Sequence, residues 1–327
     1  MKILAYSVCD YEEQAFLRLE KEMQLDITYT SKELDSHTVE MAKGYDGVTF
    51  LGHSVVNREV LTILKEYGIQ YIAARTIGFN NIDMDTAKEL GIHVSNARYE
   101  PHNVADFTVM LMLMLLRKAK ISVCRALVND FSLESMKGRE MRSMTVGIIG
   151  TGRIGTLTIK NLSGFGCRIL ANDRHIRKDL QGLVEFVDVD TIYKECDIIS
   201  LHMPLTDENF HMIDDQAIAK MKDGVILINT ARGPLIDTEA LIAGLESGKI
   251  GGAGIDSVEG EEGVAHVCVG TKIIDRRTLL YLKQFPNVIL TQHYGFFTDE
   301  ATSDMVKSAL VSLTCFGNGQ ENPYQII

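Results

Sequence analysis

The sequence has few basic residues for its length. Its 33 lysines and arginines are outnumbered by 44 aspartates and glutamates, and the net charge at pH 7 is −11. Such a balance repels the phosphate backbone of nucleic acids and the headgroups of anionic lipids. Neither nucleic acid nor a membrane surface is therefore expected as a partner.

Cysteine is sparse and scattered. No two cysteines form a Cys-x-x-Cys pair, and none lies in a Cys/His cluster with the spacing of metal ligands. We therefore expect no metal site, and we expect the thiols to be small core residues in a reducing compartment. The cysteines are Cys9, Cys124, Cys167, Cys196, Cys268 and Cys315.

Long apolar runs are missing as well. The longest, from Phe107 to Leu116, is half of the roughly 20 residues that a membrane-spanning helix needs. The amino-terminal stretch also lacks the pattern of a signal peptide. The sequence thus predicts a cytoplasmic protein without a membrane anchor.

What the chain does have is enough apolar residues for two cores. It contains 327 residues, 46% of them hydrophobic, and domains average about 100 to 200 residues. Short β-branched runs alternate with helical segments from the first residue onwards, a pattern that favours parallel strands connected by helices. The predicted fold class is α/β.

A break in this rhythm marks a domain boundary. After Ala97 comes a long apolar helix, and a second series of strands begins at Thr145. These strands are almost continuously apolar, which is typical of a doubly wound parallel sheet covered on both faces. The last helical segment, after His293, can return to the first domain. We predict that a domain of residues 100–295 interrupts a first domain made of residues 1–99 and 296–327.

The apolar helix carries three methionines in a short stretch. We interpret Met110, Met112 and Met114 as one face that serves as core or as a subunit contact, rather than as a cofactor contact.

A glycine-rich turn lies between the first strand and the first helix of the second series. Gly150 permits the tight turn, Gly152 lets the backbone approach a pyrophosphate, and Gly155 allows helix and strand to pack closely. The helix amino terminus then faces the phosphates. This arrangement predicts a dinucleotide site.

An acidic residue ends the next strand. Asp173, 18 residues beyond Gly155, can accept hydrogen bonds from both ribose hydroxyls of NAD and would repel the extra phosphate of NADP. Arg174, Arg177 and Lys178 follow at once; they form either a solvated turn or a partial site for a 2′-phosphate. We expect NAD, bound as NADH in the reductive direction.

Three later strand ends offer groups for carbonyl reduction. This chemistry needs an acid to protonate the developing alkoxide and a cation to hold a carboxylate and polarise the carbonyl. Arg232, Glu261 and His293 each follow an apolar strand of the second domain, where α/β sheets place their sites. A carboxylate beside the histidine would orient its ring and favour its protonated form.

Together with the glycine turn, Asp173 and the Leu-His-Met-Pro-Leu-Thr loop of residues 201–206, these segments resemble the D-isomer-specific 2-hydroxyacid dehydrogenase family. The resemblance covers essentially the whole chain. It implies two Rossmann-like or flavodoxin-like domains with doubly wound parallel sheets and a cleft between them. It also implies a homodimer formed through the second domain.

The resemblance implies a role for each matching residue. Arg232 would bind the carboxylate and carbonyl of the substrate, and His293 would be the general acid in reduction and the base in the reverse direction. Glu261, five residues after Asp256, would pair with His293, although Glu259 and Glu262 flank it. Asp256 would meet the nicotinamide carboxamide. Further expected cofactor contacts are Arg153, Ile154, His202, Pro204, Thr230 and Ala231.

The family likeness also points to substrate contacts in the first domain and at its return. The backbone N–H groups near Ile77 and Gly78 would bind the carboxylate, or the turn is a plain chain reversal. Tyr99 matches a tyrosine beside the substrate, or it packs at a hinge. Phe297 would line the side-chain pocket, with Tyr294 and Phe296 beside it. His53 would supply a polar contact in this pocket, or it merely caps its strand.

The expected reaction is NADH-dependent reduction of a 2-oxo acid to a D-2-hydroxy acid. Pyruvate, giving D-lactate, is the first expectation, and 2-oxo-4-methylpentanoate (giving D-2-hydroxyisocaproate) or phenylpyruvate is the alternative. Gly52 supplies no cation for a second carboxylate, which argues against a dicarboxylic substrate. Gln292 and Asp106 depart from the residues common in the family, but neither change removes a required group.

Two other readings of the sequence differ in kind. This fold is reused in NAD-sensing, corepressor-like proteins without catalysis. A formate or phosphonate enzyme of the same fold is disfavoured because a pairing acid such as Glu261 suits the proton transfer of hydroxyacid chemistry.

Overall fold

The computed structural model describes residues 1–261, 263–266, 268, 270 and 273–327. It divides into two compact units. The first comprises Met1–Glu100 and Phe297–Ile327, and the second is Pro101–Phe296. The α/β class, with two parallel sheets of Rossmann-like type, is confirmed.

The first unit is built on a five-stranded parallel sheet. Its strands have the order β2-β1-β3-β4-β5, which is the flavodoxin-like order. Helix α1 carries an apolar stripe at Ala15, Phe16 and Leu19, which it buries against the sheet. In chain order the elements are β1 (Lys2–Ala5), α1 (Asp10–Met23), β2 (Asp26–Tyr29), β3 (Gly47–Phe50), α2 (Arg58–Glu66), β4 (Tyr71–Ala74), α3 (Met84–Leu90) and β5 (His93–Ser95).

The second unit is built on a seven-stranded parallel sheet. The order β12-β11-β10-β9-β6-β7-β8 reverses direction at β6 and β9, which is the switch point where doubly wound sheets bind ligands. In chain order the elements are α4 (His102–Leu116), α5 (Ala119–Leu127), β6 (Thr145–Ile149), α6 (Arg153–Ser163), β7 (Arg168–Asn172), β8 (Glu185–Phe186), α7 (Val189–Glu195), β9 (Ile198–Leu201), α8 (Asp215–Lys220), β10 (Val225–Asn229), α9 (Thr238–Glu246), β11 (Ile250–Ile255), α10 (Arg277–Gln284) and β12 (Val288–Leu290).

The last helix, α11 (Asp299–Gly317), belongs to the core of the first unit. Val306, Leu310 and Leu313 pack in one cluster with Ile3 of β1 and Phe16 of α1. The carboxy-terminal segment thus supplies apolar area without which this face of the five-stranded sheet would be exposed to water.

A charged pair is completely buried in the first unit. Arg75, which follows β4, donates to both carboxylate oxygens of Glu12 at 2.7 and 3.1 Å and to the carbonyl of Tyr6 at 2.8 Å. Both side chains are at most 1% exposed. An ion pair removed from water is tolerated only when its remaining donors are satisfied, and here the guanidinium also reaches Thr49 at 3.3 Å. Neither Glu12 nor Arg75 was predicted from the sequence to be buried or paired.

The prediction that the six cysteines are core residues was wrong for all but one of them. Only Cys196 is buried, whereas Cys124 and Cys268 are exposed and the other three are half-buried. Cys124 lies on α5, a helix that buries none of its residues. Its exposure follows from the position of the helix, which the sequence pattern did not reveal.

The expected methionine face on α4 was also wrong. Residues two apart on a helix point about 200° from one another, so Met112 cannot share a face with Met110 and Met114. Met112 is fully buried and Met110 is 38% exposed.

Among the described residues, no helix is long and apolar enough to cross a membrane.

Candidate active site

Two of the three glycines in the phosphate turn are required by close packing. A Cβ atom at Gly150, where φ is +98°, would lie 2.4 Å from the carbonyl oxygen of His202. At Gly155 a Cβ would lie 2.0 Å from the carbonyl oxygen of Gly150. Neither position can hold a larger residue without displacing backbone, so these glycines bring β6, α6 and the loop after β9 together.

Gly152 is free of such contacts. A Cβ built there meets no described atom within 4 Å. Gly152 is the N-cap of α6 and has no side chain to satisfy the N–H groups of the first turn. Open space at the amino terminus of a helix, towards which the N–H groups of the first turn point, fits a pyrophosphate.

Asp173 lies just beyond β7, next to this turn. Its Oδ2 accepts from the N–H of Thr151 at 2.6 Å and from the Thr151 hydroxyl at 3.0 Å, and its Oδ1 accepts from the N–H of His175 at 2.9 Å. Partial desolvation raises the pKa of the carboxyl, but these hydrogen bonds outweigh it and hold the pKa below its ordinary value. Asp173 is therefore an anion beside the glycine turn, where the sequence predicts a ribose contact.

Two of the three basic residues after Asp173 are paired with acids. Arg174 forms an ion pair with Glu208, and Arg177 pairs with Asp179 at 2.9 Å. All four side chains are largely exposed. These pairs fit the solvated turn better than a 2′-phosphate site.

The loop after β9 lies against the glycine turn, because the carbonyl of His202 contacts Gly150. Desolvation lowers the pKa of His202 to about 4, so the ring is neutral at pH 7, and its Nε2 lies 2.9 Å from the hydroxyl of Ser200. The Pro204 carbonyl accepts from Asn209 at 2.8 Å. Thr230, after β10, shares a hydrogen bond of 2.9 Å with Thr108 of α4.

His293 and Glu261 form a short contact in the second unit. The Nδ1 atom of His293 lies 2.6 Å from Oε1 of Glu261 and 3.3 Å from the hydroxyl of Ser257. The other carboxylate oxygen of Glu261 accepts from the N–H of Val258 at 3.0 Å. The side chains are 32% and 19% exposed, so the pair is shielded but reachable. With Nδ1 engaged, Nε2 is the nitrogen left for a substrate.

The neighbouring glutamate has a different partner. Glu259 lies 2.8 Å from Nε2 of His211 and 3.3 Å from the hydroxyl of Thr238. The geometry therefore pairs Glu261, and not Glu259, with His293. The other alternative, Glu262, lies outside the described residues.

The turn that carries Arg232 is locked against the loop that carries Glu261. A Cβ at Gly233 would lie 2.3 Å from the carbonyl carbon of Val258. The amide of Asn229 donates to the carbonyl of Arg232 at 2.9 Å and to that of Ser257 at 3.2 Å. The Arg232 side chain is exposed and donates to the adjacent carbonyl of Ala231 at 2.7 Å. Its backbone is thus fixed while most of its guanidinium donors face solvent.

Asp256 holds the loop after β12. It is 2% exposed, and its carboxylate accepts from the Thr291 hydroxyl at 2.6 Å and from the N–H groups of Tyr294 and Gly295 at 3.0 and 2.9 Å. His293 itself has φ of +57°. For a residue with a side chain this left-handed conformation costs about 1–2 kcal/mol, so the loop needs such anchoring. Asp256 was expected only to meet the nicotinamide; its hydrogen bonds to this loop were not predicted from the sequence.

The first unit contributes a separate set of turns. The carbonyl of Ile77 accepts from Asn96 at 2.7 Å and that of Gly78 from Thr76 at 2.7 Å. Both residues are exposed, and in the described part of the chain their N–H groups meet no acceptor. Such N–H groups can bind an anion.

The side-chain positions expected near a substrate differ in burial. His53 is exposed and Tyr99 is half-buried. Phe297 is 43% exposed and lies edge to face with Tyr11, with ring centroids 4.8 Å apart. Tyr11 was missed because it lies more than 280 residues away in the sequence.

No group of three or more His, Cys, Asp and Glu side chains able to hold a metal ion is present among the residues that the structure describes.

Comparison with known proteins identifies a family. Residues 109–295 match the model of the D-isomer specific 2-hydroxyacid dehydrogenase NAD binding domain. An aromatic 2-oxoacid reductase of Clostridium sporogenes is 47% identical over 318 residues, which cover 97% of this chain and 96% of that protein.

Solved structures give the same result. The structure of D-2-hydroxyisocaproate dehydrogenase superposes with a TM-score of 0.93 at 34% identity, over 100% of this chain and 99% of that one. D-lactate dehydrogenase with NAD+ from Lactobacillus jensenii superposes with a TM-score of 0.91 at 32% identity, over the full length of both chains.

The match to an NAD binding domain and the named relatives show that the chain is an NAD-dependent oxidoreductase. More specifically, the chain belongs to the D-isomer specific 2-hydroxyacid dehydrogenase family and is an NAD-dependent D-2-hydroxyacid dehydrogenase. The expectations of an enzyme and of NAD as its cofactor are confirmed.

Alanine substitutions at Gly152 and Gly155 should have different effects on NADH binding and on stability. Gly152→Ala should keep the melting temperature and weaken NADH binding about tenfold or more, because its methyl group meets no protein atom but enters the space for the pyrophosphate. Gly155→Ala should lower the melting temperature, because its Cβ collides with the Gly150 carbonyl. Circular dichroism and titration of NADH fluorescence measure both effects. Unchanged NADH affinity in Gly152→Ala would contradict the assignment.

Proposed function

We propose that this enzyme reduces 2-oxo acids with a large apolar side chain, arylpyruvates foremost, to the D-2-hydroxy acids. The observation that carries the proposal is the 47% identity, over nearly the whole chain, to a protein named as an aromatic 2-oxoacid reductase. The exposed aromatic pair of Tyr11 and Phe297 supports it, because aromatic rings bind a phenyl group in edge-to-face geometry.

Pyruvate is the second candidate, since D-lactate dehydrogenases also match along the full chain. This order reverses the expectation from the sequence alone. The branched 2-oxo-4-methylpentanoate is intermediate in size between pyruvate and phenylpyruvate. The likeness to D-2-hydroxyisocaproate dehydrogenase supports it as a further proposed substrate.

In the proposed reaction His293 donates a proton from Nε2 to the carbonyl oxygen of the substrate. Glu261, 2.6 Å from Nδ1, orients the ring and stabilises the imidazolium before the proton leaves. NADH, when bound, supplies the hydride. The products are the D-2-hydroxy acid and NAD+, and the proton on His293 is replaced from solvent.

Arg232 is proposed to bind the substrate carboxylate. Its guanidinium is a planar fork that matches a carboxylate, and its backbone is fixed by Asn229 and Gly233. We propose that the N–H groups of Ile77 and Gly78 bind the same carboxylate. His53, Tyr99 and Phe297 are proposed contacts for the remainder of the substrate.

The cofactor contacts follow from the turn geometry. We propose that Gly150 to Gly155, including the first-turn N–H groups of Arg153 and Ile154, bind the pyrophosphate, and that Asp173 binds the ribose. His202, Pro204, Thr230, Ala231 and Asp256 are proposed to contact the remainder of NADH.

Substrate choice is tested by a panel of 2-oxo acids. We expect kcat/KM with NADH to be highest for phenylpyruvate, lower for 2-oxo-4-methylpentanoate and 2-oxobutyrate, and lower again for pyruvate. 2-Oxoglutarate should be poor, because Gly52 offers no cation for its second carboxylate. A tenfold preference for pyruvate over phenylpyruvate would instead establish a D-lactate dehydrogenase. Steady-state oxidation of NADH measures each value.

The assigned roles are tested by two substitutions. His293→Ala should lower kcat by about 100-fold or more while NADH affinity is kept, because it removes the proton donor and no proposed cofactor contact. Arg232→Lys should raise KM for the 2-oxo acid, since an ammonium cannot form the two parallel hydrogen bonds of a guanidinium. Full turnover in the first variant, or an unchanged KM in the second, would contradict the respective role.

We also propose that the second unit forms a homodimer. Large apolar side chains on and after α5 are strongly exposed, which is unusual for a surface that stays in water. They are Val123 at 62%, Leu127 at 80%, Val128 at 73%, Phe131 at 77% and Leu133 at 87% exposed.

Leu127→Asp combined with Phe131→Asp should convert a dimer into a monomer in analytical ultracentrifugation, because charges cannot be buried at an apolar contact. Leu17→Asp, a change at an exposed apolar residue of the first unit, is the control and should leave the mass unchanged. A monomeric wild-type protein would refute the dimer.

A further inference from the structure

His266 contacts the backbone of the residue to which we assign proton transfer. Its Nε2 atom lies 2.7 Å from the carbonyl oxygen of His293. Because a carbonyl oxygen only accepts hydrogen bonds, Nε2 of His266 must carry a proton and donate it. The two rings also lie edge to face, with centroids 6.1 Å apart.

The hydrogen bond acts on a strained part of the chain. Both His293 and His266 have left-handed backbones, with φ of +57° and +62°. A residue with a side chain keeps this conformation only when its surroundings hold it there. A donor on the carbonyl of His293 fixes the peptide plane that directly follows the strained residue, and with it the base of the imidazole side chain.

The rest of this loop is held from other directions. Asp256 accepts from the N–H groups of Tyr294 and Gly295, and the Asn103 amide donates to the carbonyl of Phe296 at 2.8 Å. The His266 ring also meets the ring of Phe296, with centroids 5.9 Å apart. The carbonyl of His293 and the N–H of Tyr294 belong to one peptide group, so His266 holds its carbonyl end and Asp256 its N–H end. Asp256 and Asn103 also hold later peptides of the loop.

We propose that His266 is a positioning residue for the reduction. Its Nε2–H group holds the carbonyl of His293 and so fixes the direction in which the His293 ring presents its proton. His266 touches no reacting atom in this arrangement and acts through His293 alone. The inference rests on the proposed function to the extent that His293 is taken as the proton donor.

A pair of variants of similar size tests the hydrogen bond. Glutamine can donate from its amide nitrogen and leucine cannot. His266→Leu should lower kcat by about 10- to 100-fold, because misplacement of a reacting group by about 1 Å has an effect of that size. KM for the 2-oxo acid and NADH affinity should change less than about twofold, and His266→Gln should recover most of kcat. Equal losses in the two variants would overturn the proposal.

A double-mutant cycle separates action through His293 from a general effect on the fold. In the His293→Ala background, His266→Leu should lower the residual rate no further, because no ring is left to position. If His266→Leu lowers the rate by the same factor in both backgrounds, His266 acts elsewhere and the proposal fails.

A third measurement needs no substrate. In the unliganded protein with isotope-labelled histidine, the ring signals of His293 are assigned by their loss in His293→Ala. Both variants lose the ring of His266, so both should move these signals, but the shift or broadening should be clearly larger in His266→Leu than in His266→Gln. Unchanged signals in the leucine variant contradict the proposal. Absence of wild-type turnover with every 2-oxo acid would contradict the proposed function instead, because the signals do not depend on turnover.

Discussion

The carboxylate of Asp256 is the constraint on which the candidate chemistry depends. It is buried at the end of β11, and it accepts from the Thr291 hydroxyl and from two consecutive N–H groups after His293. Hydrogen bonds to a charged acceptor contribute about 1.5–3 kcal/mol each, whereas the left-handed backbone of His293 costs about 1–2 kcal/mol. The anchor therefore outweighs the strain, and the loop can present an imidazole in a conformation that a free loop would leave.

The sheet brings the other groups to the same edge. Strands β10, β11 and β12 are neighbours and all parallel, so Arg232, the Asp256–Glu261 segment and His293 leave the sheet at adjacent carboxyl ends. Adjacency alone would leave the loops free to move relative to one another. Asn229 removes that freedom with two hydrogen bonds, and Gly233 removes it by allowing backbone contact with Val258. The arginine and the His–Glu pair are thus parts of one rigid assembly within the second unit.

The sequence predicted the parts of the protein that local pattern controls. Apolar strand runs revealed both parallel sheets, and the glycine spacing of the phosphate turn agrees with the contacts at Gly150 and Gly155. The spacing from Asp256 selected Glu261, which the structure pairs with His293. Contacts between distant segments were missed, because nothing in the sequence near Arg75 identifies Glu12, and nothing near Phe297 identifies Tyr11. Burial of single residues was also misjudged at Cys124 and Met110, because it depends on what packs over a helix.

The net charge of −11 opposes both proposed ligands, which are anions. Distance decides which effect is stronger. At physiological ionic strength, exposed charges more than about 8 Å apart are largely screened, so most of the acidic surface acts weakly on a bound carboxylate or pyrophosphate. A guanidinium or an N–H group in direct contact is not screened in this way, and a pair of opposite charges 4 Å apart near a protein surface attracts by about 4 kcal/mol. The proposed contacts of Arg232, the amino terminus of α6 and the N–H groups of Ile77 and Gly78 with the ligands are of this direct kind. Anion binding by an acidic protein therefore depends on donors at short range, and the glycine turn and the Asn229 hydrogen bonds fix the backbone segments that carry the proposed donors.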